Sequence, residues 1–158
     1  MSDQADGPRG LGGWLIVAAI GLLLAPMSLL ANLAELLTAF DDGDLFTLMD
    51  TNSPAYHPLW EPIFIFETIG NLALVIVVFV SLFMFFNKSR RFPRWYLGLL
   101  FGYAAFIMID LSLLRIVTPE EPLLNPESGR ALARTLAVCA VWGPYILISK
   151  RVKATFVE

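Results

Sequence analysis

The sequence predicts an all-α membrane protein, a bundle of four transmembrane helices with both termini cytoplasmic. Three observations carry that fold class. Hydrophobic residues make up 57% of the 158-residue chain and charged residues only 16%, with a mean hydropathy of +0.68. Soluble domains average about 25% charged residues. Four long apolar stretches alternate with short polar joints. Finally, eight of the eleven lysines and arginines fall on one side of a four-span layout: Arg9, Lys88, Arg90, Arg91, Arg94, Lys150, Arg151 and Lys153. The positive-inside rule makes that side cytoplasmic and turns the two acidic joints outwards.

The length suits a single domain, 1–158. Residues 1–10 form a polar tail with Gly and Pro. The first helix is expected over about 14–39, longer than the ~20 residues a bilayer requires. Trp14 opens it as an interfacial anchor, and Pro26 interrupts its hydrogen-bond ladder. The stretch exceeds a signal-peptide core of ~7–15 residues and has no clear cleavage site, so it reads as a retained helix. Residues 40–59 are an acidic joint containing Asp41, Asp42, Asp44 and Asp50, with a short interfacial helix expected around Leu45–Met49. The second helix is expected over about 60–87, with Pro62 in its first turn, where a missing N–H costs nothing. Its run Leu72–Phe86 is too long and continuously apolar for a strand. The tight basic joint 87–95 makes an antiparallel hairpin with a third helix over about 95–117. Residues 118–129 are acidic and proline-rich, and Asn125-Pro126 has the form of an N-cap followed by a first-turn proline. The fourth helix is expected over about 127–149, before a basic tail 150–158.

The remaining charges sit in or beside the apolar stretches, all towards the outer side: Glu35, Glu61, Glu67, Asp110, Arg115, Arg130 and Arg134. Charge in hydrocarbon is costly, so such residues snorkel, pair or serve a function. Glu61, Arg115 and Arg130 lie near enough to helix ends to reach water. Glu67, Asp110 and Arg134 are deeper, and Glu67 lies about 9 Å below Glu61 at 1.5 Å per residue. Ser28, Asn32 and Glu35 share one helical stripe; so do Tyr103, Phe106 and Asp110, while Asn71 follows Glu67 by one turn. An ion pair between Arg134 and Asp110 or Glu67 is expected. The candidate ligand-binding or ion-pair cluster is therefore Glu35, Glu67, Asp110, Arg130 and Arg134.

Other chemistries are poorly served. His57 is the single histidine and Cys139 the single cysteine, and the layout puts them on opposite sides, so no catalytic set is expected. No haem, zinc or other cofactor is expected, because one histidine is too few ligands. Asp41-Asp42-Gly43-Asp44 lacks the ligand spacing of a calcium loop. No contiguous basic face points to nucleic acid. Gly98 and Gly102 have GxxxG spacing, for which packing inside the fold is expected, with a homodimer or membrane partner as the other use. The basic joint and tail suit anionic lipid headgroups, at ~1 kcal/mol per residue near the surface.

Two segments resemble a known family. Gly12-Gly13-Trp14-Leu15 near the N-terminus, and Pro144-Tyr145 with Ser149-Lys150-Arg151-Val152-Lys153-Ala154-Thr155-Phe156 near the C-terminus, resemble the bacterial membrane-protein family called domain of unknown function 2569 (DUF2569). The resemblance extends over essentially the whole chain. It implies a multi-pass protein of the bacterial inner membrane and supplies no activity or catalytic residue. The reading is a non-enzymatic binding or accessory protein with an outward-facing polar pocket for a lipid headgroup, small anion or partner segment. The alternative is a small proton-coupled transporter using an intramembrane carboxylate, and an intramembrane enzyme ranks below both. The topology is tested by reporter fusions. Alkaline phosphatase joined after Glu120 is expected to be active, and joined after Phe156 inactive; the reverse pattern would invert the orientation.

Overall fold

The computed structural model describes residues 10–120 and 126–157. They form α1 (Trp14–Asp41), α2 (Asp44–Met49), α3 (Trp60–Phe86), α4 (Phe92–Val117), α5 (Pro126–Ile148) and α6 (Lys150–Thr155), with no strand among the described residues. The N-terminal tail through Arg9 and the Asn125 cap lie outside the described residues. Four helices are long and apolar enough to cross a membrane: α1, α3, α4 and the Ser128–Ile148 part of α5. Large apolar side chains cover their outer faces, and Met27, Phe83 and Ile148 are 68%, 71% and 73% exposed. Patches this extensive belong in hydrocarbon.

The helix ends follow local chemistry. α4 starts at Phe92, earlier than residue 95, because Pro93 fits the first turn, where its missing N–H has no partner to lose. α1 runs on to Asp41, past residue 39. α2 forms where an interfacial helix is expected, started by Gly43 in the left-handed region at φ 82°. The basic tail differs more. It folds into α6, whose N-cap Ser149 accepts a hydrogen bond from the Val152 backbone N–H.

α6 turns the chain end back onto the bundle. Phe156 stacks on Phe92 with ring centroids 4.5 Å apart and lies 5.7 Å from Phe85. Phe92 also meets Phe85 at 5.1 Å and Tyr96 at 5.4 Å. The Gly10 N–H donates to Thr155 Oγ1 at 3.1 Å, and Arg90 Nε donates to the Val157 carbonyl. The Arg151 guanidinium lies against Gly12 and Gly13, where a Cβ on Gly13 would collide with it. Gly13 also has φ 58°, so glycine is required there twice over. The two segments that carry the family resemblance therefore pack against each other.

Above this end, α1 packs on α3, α3 on α4 and α4 on α5. α1 and α5 meet mainly where Trp14 and Trp142 form an edge-to-face pair at 6.2 Å. α3 and α4 approach closely at Gly70, where a Cβ would run into the Phe106 ring. That ring is held by stacking on Phe66, with centroids 5.0 Å apart. Gly98 and Gly102 correct an expectation: nothing of another helix lies within 4 Å of where their Cβ atoms would stand, so they do not serve packing inside the fold. Side chains of α4 facing α3 and α5 already fill those contacts, which leaves the glycine face outwards.

Gly70→Val is expected to destabilise the α3–α4 contact by about 1–3 kcal/mol, the usual range for overpacking. Thermal unfolding of the purified protein measures it, and Phe106→Ala in the same chain should recover part of the loss.

Candidate functional site

Two features of different chemistry occupy the bundle interior away from the basic end. The first is an apolar cavity of about 330 Å³. α1 supplies Gly21, Ala25 and Ser28, α3 Leu74 and Val78, α4 Tyr96, Leu100 and Tyr103, and α5 Arg134, Val138 and Trp142. The cavity lies along the seam where α1 and α5 lack the packing that closes the other three seams. Trp14 and Trp142 bridge that seam at the basic end. Among the residues lining the cavity, Arg134 is the only charged one. It lies close enough to the Tyr103 phenol to act on it electrostatically.

The second feature is a polar cluster between α3 and α4. The Glu67 and Asp110 carboxyls face each other within hydrogen-bonding reach. Asn71, one turn along α3, is 4% exposed, and its Nδ2 donates to the Glu67 carbonyl at 2.8 Å. Thr68 stands beside them on α3. Elsewhere in the spans, buried hydroxyls bond their own helix: Ser81 donates to the Val77 carbonyl at 2.7 Å and Thr135 to the Ala131 carbonyl at 2.9 Å. Cys139 is also satisfied, its thiol donating to the Leu100 carbonyl at 3.4 Å. Among the described residues, the buried side-chain atoms with no hydrogen-bond partner are Thr68 Oγ1, Asn71 Oδ1 and Asp110 Oδ1; on α3, Thr68 adjoins Glu67 in the chain and Asn71 follows it by one turn, while Asp110 faces Glu67 from α4.

The structure thus redistributes the residues expected to form one cluster. Glu67 and Asp110 come together. Arg134 makes no ion pair with either among the described residues and lines the cavity instead. The physical reason is register: α5 presents Arg134 to Tyr103, which precedes Asp110 by seven residues, about 10 Å of helix rise. Glu35 and Arg130 are exposed on α1 and α5 and join neither feature. Glu61 is exposed in the first turn of α3, and Arg115 Nη1 donates to the Pro119 carbonyl at 2.7 Å, as a side chain reaching for the boundary would. His57 Nδ1 accepts from the Leu59 N–H at 3.2 Å, a local turn contact. No group of three or more His, Cys, Asp or Glu residues is placed to hold a metal among the described residues. Thr68 was missed by sequence reasoning, and Asn71 was noted one turn from Glu67 but left out of the expected cluster. The Thr68 signal was faint: a polar residue beside an intramembrane glutamate.

At the basic end, Arg90, Arg94 and Lys153 border a shallower hollow with Leu97 and Ile146 at its base.

The comparisons with known proteins agree on identity and are silent on activity. The model of the family described as "Protein of unknown function (DUF2569)" matches residues 8–157. Among curated proteins, the chain is similar to the inner membrane protein YdgK of Escherichia coli (strain K12), 27% identical over 151 residues, which is 96% of this chain and 96% of that protein. No solved structure matches the chain. The match of both terminal segments and of the four spans between them makes the chain a member of the DUF2569 family, a multi-pass protein of the bacterial inner membrane.

Proposed function

We propose that this protein binds a lipid without transforming it, taking an acyl chain into the seam between α1 and α5 and holding an anionic headgroup with Arg134. The observation that carries this reading is one cationic side chain on an otherwise apolar cavity of about 330 Å³, within the size range of small-molecule sites. An unpaired guanidinium in hydrocarbon is costly, and a phosphate-type group in bidentate contact offsets that cost. The sparse packing between α1 and α5 supports lateral entry from the bilayer. The Trp14–Trp142 bridge favours a dead-end site over a through-path. A binding role rather than catalysis is favoured by the satisfied Cys139 and the remote, turn-bound His57. In the topology proposed from the basic joints, Arg134 belongs to the outer leaflet.

The test is lipid retention by the purified protein, read by native mass spectrometry. Arg134→Gln removes a charge-assisted contact of about 1.5–3 kcal/mol, so retention of anionic lipid is expected to fall tenfold or more. Gly21→Leu places a side chain in the cavity, where the glycine Cβ position meets nothing within 4 Å. It should lower retention of anionic and zwitterionic lipids alike. Retention unchanged in both folded variants would remove the seam as a lipid site.

A further inference from the structure

The α3–α4 polar cluster takes no part in the proposed lipid site. We propose that Glu67, Thr68, Asn71 and Asp110 form a binding site for one small hard cation, ligated by side-chain oxygens.

The first ground is electrostatic. Two carboxyls within hydrogen-bonding reach cannot both stay charged in a low-dielectric interior unless a cation stands between or beside them; otherwise they share a proton. Arg134 on α5 is engaged at the level of Tyr103 and forms no ion pair with them. The second ground is independent of charge. Asn71 is 96% buried by its 4% exposure, yet its Oδ1 accepts from no donor. The donation of its Nδ2 to the Glu67 carbonyl fixes the amide so that oxygen, not nitrogen, is left over. Thr68 Oγ1 and Asp110 Oδ1 are likewise buried without partners. A proton shared between the carboxyls would serve only those two groups and leave the Asn71 oxygen orphaned. A metal cation can take all four.

The donor set chooses the class of ion. Two carboxylates, an amide oxygen and a hydroxyl are hard ligands, of the kind that bind sodium, magnesium or calcium rather than zinc or copper. The Phe66–Phe106 stack and the tight Gly70 approach hold the two helices in fixed register next to the cluster. Such rigidity keeps the ligands convergent and favours one ion over random hydration.

The experiment is thermal unfolding of the purified full-length chain in detergent, at constant ionic strength in choline chloride, with sodium, magnesium or calcium chloride added separately. One of the three ions is expected to raise the midpoint by several degrees in a saturable manner. Asp110→Asn and Asn71→Leu should abolish the rise, and Glu35→Gln should keep it. Should either variant fail to fold, equilibrium retention of radioactive sodium or calcium by the unmodified chain, competed by the unlabelled ion, decides the matter at one ion per chain. No saturable shift together with no retained ion overturns the site. So does a shift that persists in both variants. A midpoint that responds to pH alone, equally in all salts, would assign a shared proton instead and would overturn it too.

Discussion

The stacking of Phe156 on Phe92, within the ring group of Phe85 and Tyr96, is the interaction on which the rest of the arrangement depends. In a bilayer the hydrophobic effect does not press helices together, because lipid tails are as apolar as leucine. Packing and polar contacts must set the register instead. Here they are concentrated at one end. The α6 turn brings Phe156 into the α3–α4 hairpin, Thr155 ties Gly10, and Arg151 covers Gly12 and Gly13. The chain ends are thereby fastened to the basic joint and to each other. Removing a tail of nine residues would seem mild from hydropathy alone, yet it would release three helices at their common anchor.

Fastening at one end permits looseness at the other. α1 is held beside α5 by the Trp14–Trp142 pair, and along the rest of their lengths the two helices leave a seam. The cavity follows from that geometry and from the small Gly21, Ala25 and Ser28 that α1 presents to it. α3 and α4 behave in the opposite way. A glycine and two stacked phenylalanines draw them close at the level of Glu67 and Asp110. One bundle thus contains an open apolar seam and a tight polar seam, produced by different side-chain volumes on the same four-helix frame.

Much of this was legible in the sequence, because the bilayer is a simple solvent with strict demands. Every backbone group must be satisfied internally, so apolar length alone predicts spanning helices. The α3–α4 hairpin followed from the shortness of the joint, and the short α2 was expected inside the acidic joint. The tail helix was not legible: Lys150, Arg151 and Lys153 read as a charged face, and the one capping serine and one terminal phenylalanine that fold it act only through tertiary contacts. The glycine pair failed for a related reason. GxxxG spacing says that a face is small, not which way it points, and helix rotation is fixed by neighbours the pattern does not contain. Depth was readable for Glu67, Asp110 and Arg134, since each stands seven or eight residues inside its helix. Partnership was not, since it turns on about 100° of rotation per residue.

That distinction between depth and partnership bears on what the charges are for. Had Arg134 met Asp110, the two would have neutralised each other, and the pair would need no outside ligand. The register of α5 on α4 sets Arg134 at Tyr103 instead and leaves the carboxyls facing one another. Charge of one sign in a medium that penalises it is relieved by a proton on the carboxyls or by a counterion, and the two proposed sites take the second route: an anion for the guanidinium, a cation for the oxygens. An intramembrane ion pair is a fully adequate structural device, so its absence here is the costlier arrangement. A bundle that keeps opposite charges apart, about 10 Å along the helix axes, gives up stability it could have had internally, and the two proposed ligands would restore it from outside.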